Sequence, residues 1–126
     1  MAEADLVQVR QLLRAESARA GLGLVDQTKL ITAGSELARN ILTYADGARG
    51  SVRIHQVTGQ RGRLGVRATF TDDGPGIDDL DRALTDGYST SGGLGLGLPG
   101  SKRLVDEMTI SSTSAGTTVV IVKWAR

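Results

Sequence analysis

The sequence predicts an α+β two-layer sandwich, with helices packed on one face of a mixed β-sheet. Three observations predict it. Up to about Asp46, apolar residues recur at helical spacing, whereas over 52–70 and 109–124 they recur at alternate positions. Helical and extended runs are also segregated, without strict strand–helix–strand alternation. A length of 126 residues suits one domain, 1–126, with a single core.

The elements follow in order. From Asp5 to about Ala20, Leu6, Val9 and Leu13 step by three and four while Arg10, Arg14 and Arg19 take other faces. Gly21 and Gly23 stop this helix. A second begins near Asp26, with Asp26 or Thr28 as cap, and runs through Leu30, Ala33, Leu37, Ile41 and Tyr44 to Asp46-Gly47. The period then changes to two. Val52 and Ile54 alternate with Arg53 and His55, a Gly-containing loop follows over 58–63, and Leu64, Val66, Ala68 and Phe70 alternate with small or polar residues, which predicts an antiparallel hairpin. A short helix over 79–84, a better one over 99–107, and a strand pair at 109–113 and 117–124 complete the chain. Trp124 is expected at the sheet edge, and Lys123 and Arg126 as solvated charges.

Composition removes several classes of chemistry. Lysine plus arginine is 15 against 14 acidic residues, so no global field marks a nucleic-acid or anionic-membrane binder. Cysteine is absent and histidine occurs once, which excludes disulfide frameworks, thiol nucleophiles and His-based metal centres. No apolar run approaches the roughly 18 residues of a membrane span, and the acidic, polar start is unlike a secretory signal; a cytoplasmic location is the expectation. The unusual count is 17 glycines against 2 prolines.

Three segments can carry chemistry. Thr71-Asp72-Asp73-Gly74-Pro75-Gly76-Ile77 follows the strongest strand, and counting by twos from Leu64 puts Asp72 on its core-directed face. An inward carboxylate needs hydrogen bonds, and a ligand with an exocyclic amine would supply one; a plain turn with a capping Asp is the alternative. Gly92-Gly93-Leu94-Gly95-Leu96-Gly97-Leu98-Pro99-Gly100 alternates glycines, which let backbone N–H groups approach an anion, with leucines that anchor the loop. Pro99 suits a first helical turn, so the positive end of a helix adjoins this loop. Glu36 and Asn40, four apart on the second helix, share one stripe; the pair suits Mg²⁺, or the carboxylate is free to accept a proton, or both belong to a solvated face.

Two other glycine motifs fail on context. Gly95 to Gly100 matches the dinucleotide pattern literally, but a loop precedes it and no acidic residue stands about 20 positions later. The same stretch has P-loop spacing, but Ser101 occupies the position that requires Lys.

Together and in this order, the segments resemble the nucleotide-binding boxes of the GHKL ATPase and kinase superfamily. Glu36-Leu37-Ala38-Arg39-Asn40 resembles its N box, Asp72 to Ile77 its first glycine box, Gly93 to Leu98 its second, and Gly116-Thr117-Thr118-Val119 its closing strand motif. The wording of Asp86 to Leu104 is similar to RsbT-type serine/threonine kinases of the stressosome, relatives of the anti-sigma-factor kinases. The resemblance implies ATP and Mg²⁺ as cofactors, STAS-domain proteins as substrate and scaffold, and a PP2C-type phosphatase as an alternate partner, with neither nucleic acid nor membrane involved. It implies that Glu36 is the general base and Asn40 the Mg²⁺ ligand. Asp72 would bind the adenine amino group, and Gly74, Gly76 and Ile77 would form the adenine pocket. Gly93, Leu94, Gly95, Leu96, Gly97 and Leu98 would carry the phosphates, with Thr117 a secondary contact. An anti-sigma factor or phosphatase activator, with ATP as a conformational ligand, is the alternative. Thr43, where histidine-kinase relatives have Lys, argues against that branch, and the family's usual first strand is nearly missing.

Overall fold

A computed structural model describes residues 3–44, 50–72, 97–114 and 116–126. Helices α1 (Glu3–Arg19) and α2 (Leu24–Tyr44) come first, then β1 (Gly50–Thr58), a 3₁₀ turn (Gln60–Gly62) and β2 (Leu64–Asp72). Helix α3 (Gly97–Leu104), β3 (Glu107–Thr113) and β4 (Gly116–Trp124) follow. The helix expected over 79–84 lies outside the described residues. Among the described residues no helix is long and apolar enough to cross a membrane.

The periodicities place the core. Leu6, Val9 and Leu13 of α1 and Leu30, Ala33 and Leu37 of α2 are buried against Val66, Ala68 and Phe70 of β2 and Val119 and Ile121 of β4. The stripe on α1 continues to Ser17, also fully buried, whose hydroxyl donates to the Arg14 carbonyl at 3.0 Å and so meets no desolvation penalty. Gly21 then ends the helix at φ +85°: its N–H reaches the Ala18 carbonyl and that of Leu22 the Ser17 carbonyl, a Schellman closure that needs a residue at ease in the left-handed region.

The strand order is β1-β2-β4-β3, and every described pairing is antiparallel. A mixed sheet was the expectation. The crossover through α3 does return β3 in the same direction as β2, but the β3–β4 hairpin folds back so that β4 lies between them. Among the described residues no parallel neighbours result. This also corrects Trp124: β4 is an interior strand, and its last residue lies beside Gly65 of β2.

Helix α3 ends at Leu104, short of Glu107, because Asp106 is engaged elsewhere. Its N–H donates to the Val122 carbonyl at 3.0 Å, and its carboxylate accepts the Trp124 backbone N–H at 2.7 Å and the Arg126 guanidinium. Lys123 joins the same cluster. Alternation from Val119 and Ile121 turns it inward, its side chain is only 5% exposed, and its Nζ lies 3.5 Å from Asp26 Oδ1 and 3.8 Å from Asp106 Oδ1. Arg126 Nε lies 3.7 Å from the other Asp26 oxygen. The expectation of a solvated charge therefore fails for Lys123, and Arg126, though half exposed, is paired twice. Asp26 stands in the first turn of α2, where the helix dipole also favours an anion.

Removing one member of a buried ion pair typically costs about 3–5 kcal/mol, because the remaining charge is left without compensation. Lys123→Met keeps most of the stem volume and removes the charge. Urea denaturation is expected to show a loss of about 3 kcal/mol; a loss below about 0.5 kcal/mol would show that the stem alone matters.

Candidate functional site

The end of the sheet opposite Lys123 gathers a row of polar groups on the core-facing side. Asp72 is the last residue of β2, half-buried, and two steps beyond the buried Phe70. The β2–β4 register sets it directly against Thr117, and the β3–β4 register sets Thr117 against Ser112. Thr117 is buried, and the Ser112 and Thr117 hydroxyl oxygens are 2.9 Å apart, a hydrogen bond across strands. One carboxylate and two hydroxyls thus lie in a line across three strands. Ser112 joins Asp72 and Thr117 here without having been among the sequence candidates; the available signal was the alternation Met108, Ile110, Ser112, which makes it inward-facing.

Helix α2 carries the second group of candidates, and it packs on β2, β4 and α3. The Glu36 side chain is 16% exposed, and its Oε1 lies 3.4 Å from Nη1 of Arg39, which is itself 43% exposed. Such a half-solvated pair adds little to stability and mainly fixes the carboxylate's direction. One residue earlier, Ser35 is buried and accepts a 3.1 Å hydrogen bond from Nε of Arg10 on α1, which ties the two helices together beside Glu36. Arg10 and Arg39 were not singled out from the sequence; the i,i+3 spacing of Glu36 and Arg39 was the available signal. Asn40 lies in the last third of α2.

Helix α3 supplies the third. It starts at Gly97, with Pro99 in its first turn, where a missing N–H costs nothing. Leu98 and Ser101 are on its buried side, Val105 just past its end is also buried, and Lys102 and Arg103 are exposed. The amides of its first turn, which have no partner within the helix, are the hydrogen-bond donors expected from the sequence. Gly74, Gly76, Ile77, Gly93, Leu94, Gly95 and Leu96 lie outside the described residues.

As a donor set these groups fit a purine nucleotide: a carboxylate that accepts from an amine, hydroxyls that bond in either direction, and helix-start amides for phosphate oxygens.

Residues 25–125 match the family of histidine kinase-, DNA gyrase B- and HSP90-like ATPases. The chain belongs to this ATPase family. Over 127 aligned positions, covering the whole chain and 93% of the relative, it is 48% identical to the serine/threonine-protein kinase RsbT of Bacillus subtilis (strain 168). Among solved structures, this ATPase domain is similar to the mycobacterial sensor histidine kinase MprB, with a TM-score of 0.61 and 25% identity over 79% of this chain and 72% of that one. The blue-light activated histidine kinase of Erythrobacter litoralis EL346 shares the fold, with a TM-score of 0.60 and 22% identity over 90% of this chain and 39% of its own. The α+β sandwich and the ATPase assignment reached from the boxes therefore stand.

Ser101 makes a further test. Its hydroxyl is buried in α3 with no hydrogen-bond partner among the described residues, and a buried unbonded hydroxyl costs about 1–3 kcal/mol. Ser101→Ala is expected to raise unfolding free energy by about 1 kcal/mol in urea denaturation; a loss of stability would show that the hydroxyl is bonded in solution.

Proposed function

We propose that the chain is an ATP- and Mg²⁺-dependent serine/threonine protein kinase that phosphorylates a STAS-domain partner in a stress-response partner-switching pathway. Whole-length likeness to a serine/threonine-protein kinase supports the reaction class. The observation that carries the reading is Glu36. It is a mostly buried carboxylate whose ion-pair partner is a half-solvated arginine, on the helix that packs against the strands bearing Asp72 and Thr117.

The residues divide the work as follows. Asp72 accepts a hydrogen bond from the purine amine, with Thr117 and Ser112 beside it. The first turn of α3, with Gly97 and Leu98, presents amides to the phosphates, together with Gly93 to Leu96 before it in the sequence. Gly74, Gly76 and Ile77 close the purine pocket. Glu36 takes the proton from the acceptor hydroxyl as its oxygen bonds to the γ-phosphorus and the bridging oxygen leaves with ADP. Asn40 would help to hold Mg²⁺, which when bound would supply neutralisation of charge on the phosphate oxygens. Positioning and electrostatics supply the acceleration, and no covalent enzyme intermediate is required. The substrate and scaffold are STAS-domain proteins, a PP2C-type phosphatase is an alternate partner, and the cytoplasm is the setting.

General-base catalysis typically contributes 10²- to 10⁴-fold. With labelled Mg-ATP and a STAS domain, Glu36→Gln is therefore expected to lower phosphate transfer about 100-fold or more while nucleotide binding persists. Transfer within about threefold of wild type would remove Glu36 from the mechanism. No transfer by the wild type, alongside ATP-dependent partner binding, would make the chain a nucleotide-switched binding module.

A further inference from the structure

The helices cover one face of the sheet, and the other face carries a groove with a marked charge bias. Register aligns its floor in rows: His55, Arg67, Val122 and Glu107 in one, and Arg53, Thr69, Val120 and Thr109 in the next. A shallow cavity of about 380 Å³ lies over these rows. A second, of about 600 Å³, lies at the β1–β2 turn, lined by Gln60, Arg61, Arg63 and Trp124. Glu107 lines both, so the two adjoin.

Four arginines and one glutamate line this groove, a formal +3 within a chain whose net charge is +1. The glutamate is already engaged: its Oε2 accepts the Trp124 indole N–H at 2.6 Å. Arg63 is engaged too, its Nε donating to the Ala125 carbonyl at 2.9 Å. The guanidinium groups of Arg53, Arg61 and Arg67 make no hydrogen bond or ion pair among the described residues. Three guanidinium forks are therefore free to take carboxylates in pairs of parallel hydrogen bonds.

Trp124 gives the groove a fixed apolar seat. A Cβ on Gly59 or Gly65 would come within 2.8 or 2.6 Å of ring carbons, so the indole lies directly on bare backbone while its N–H is tied to Glu107. Beside it, Arg61 adopts φ +58°, a conformation that glycine takes easily and arginine rarely. A rigid aromatic flanked by unpaired arginines matches the residue types that dominate binding energy at protein interfaces.

We propose that this groove docks an acidic segment of a partner protein, with its carboxylates on Arg53, Arg61 and Arg67 and an apolar side chain seated on Trp124. Nucleic acid fits less well: a single aromatic offers no run of stacking platforms, and the valine floor between the arginines suits side chains. The groove lies on the sheet face away from α2 and at the Trp124 end of β2, opposite the Asp72 end, so the docking stands apart from the kinase reading.

Trp124 is the sole tryptophan, so intrinsic fluorescence reports on the groove directly. The probes are a glutamate-rich peptide with one leucine, its glutamine counterpart and a thymidine oligonucleotide. The acidic peptide should change Trp124 emission saturably, with affinity falling as salt rises. Arg67→Gln and Arg61→Gly should each weaken it at least tenfold, while Arg61→Gly keeps or raises the thermal midpoint, because glycine relaxes the left-handed turn. A flat titration, an equal response to the glutamine peptide, equal or tighter binding of the oligonucleotide, or unchanged affinity in both variants would each overturn the proposal.

Discussion

The insertion of β4 between β2 and β3 is the constraint on which the rest of the molecule depends. A nine-residue strand paired on both sides fixes two ends at once. Because side chains alternate strictly, the register that buries Val119 and Ile121 also turns Thr117 and Lys123 inward. Slipping that register by one residue would send all four to the outer face and break both ends together.

The two ends do different work. At one, Lys123 meets Asp26 of α2 and Asp106 at the α3–β3 junction, so the start of the long helix, the end of α3 and the end of the chain are tied at one point. At the other, Asp72, Thr117 and Ser112 form a polar row, with α2 and α3 packed together above the sheet. The ion cluster lies at the end of the sheet away from the groups assigned to nucleotide. The outer face follows from the same alternation: where the inner positions are Val66, Ala68 and Ile121, the intervening ones are Arg67, Thr69 and Val122.

Much of this was legible in the sequence for local reasons. The apolar stripe of α1, the period-two runs of β1, β2 and β4, the glycine stop at Gly21 and the inward direction of Asp72 all depend on neighbours within a few residues. What was not legible depends on which strand lies beside which. Lys123 looked solvated because its partners, Asp26 and Asp106, are distant along the chain and arrive only through the fold. Trp124 looked like an edge residue because strand order does not follow chain order. Ser112 gained meaning only once Thr117 was seen opposite it. Helix α3 looked longer than it is because Asp106 and Glu107 suit a helix locally, while the ladder to Val122 and the ion cluster take them into the sheet.

The claim that an inward acid at the end of β2 reads a purine can be tested without any protein partner. Isothermal titration of the chain with ATP and Mg²⁺ is the direct measurement, repeated with Asp72→Asn, which keeps the size of the side chain but loses the charged acceptor. The account predicts saturable one-to-one binding by the wild type and at least a tenfold loss in the variant, since a hydrogen bond to a charged group contributes about 1.5–3 kcal/mol. Absence of heat with the wild type, or equal affinity in the variant, would contradict it.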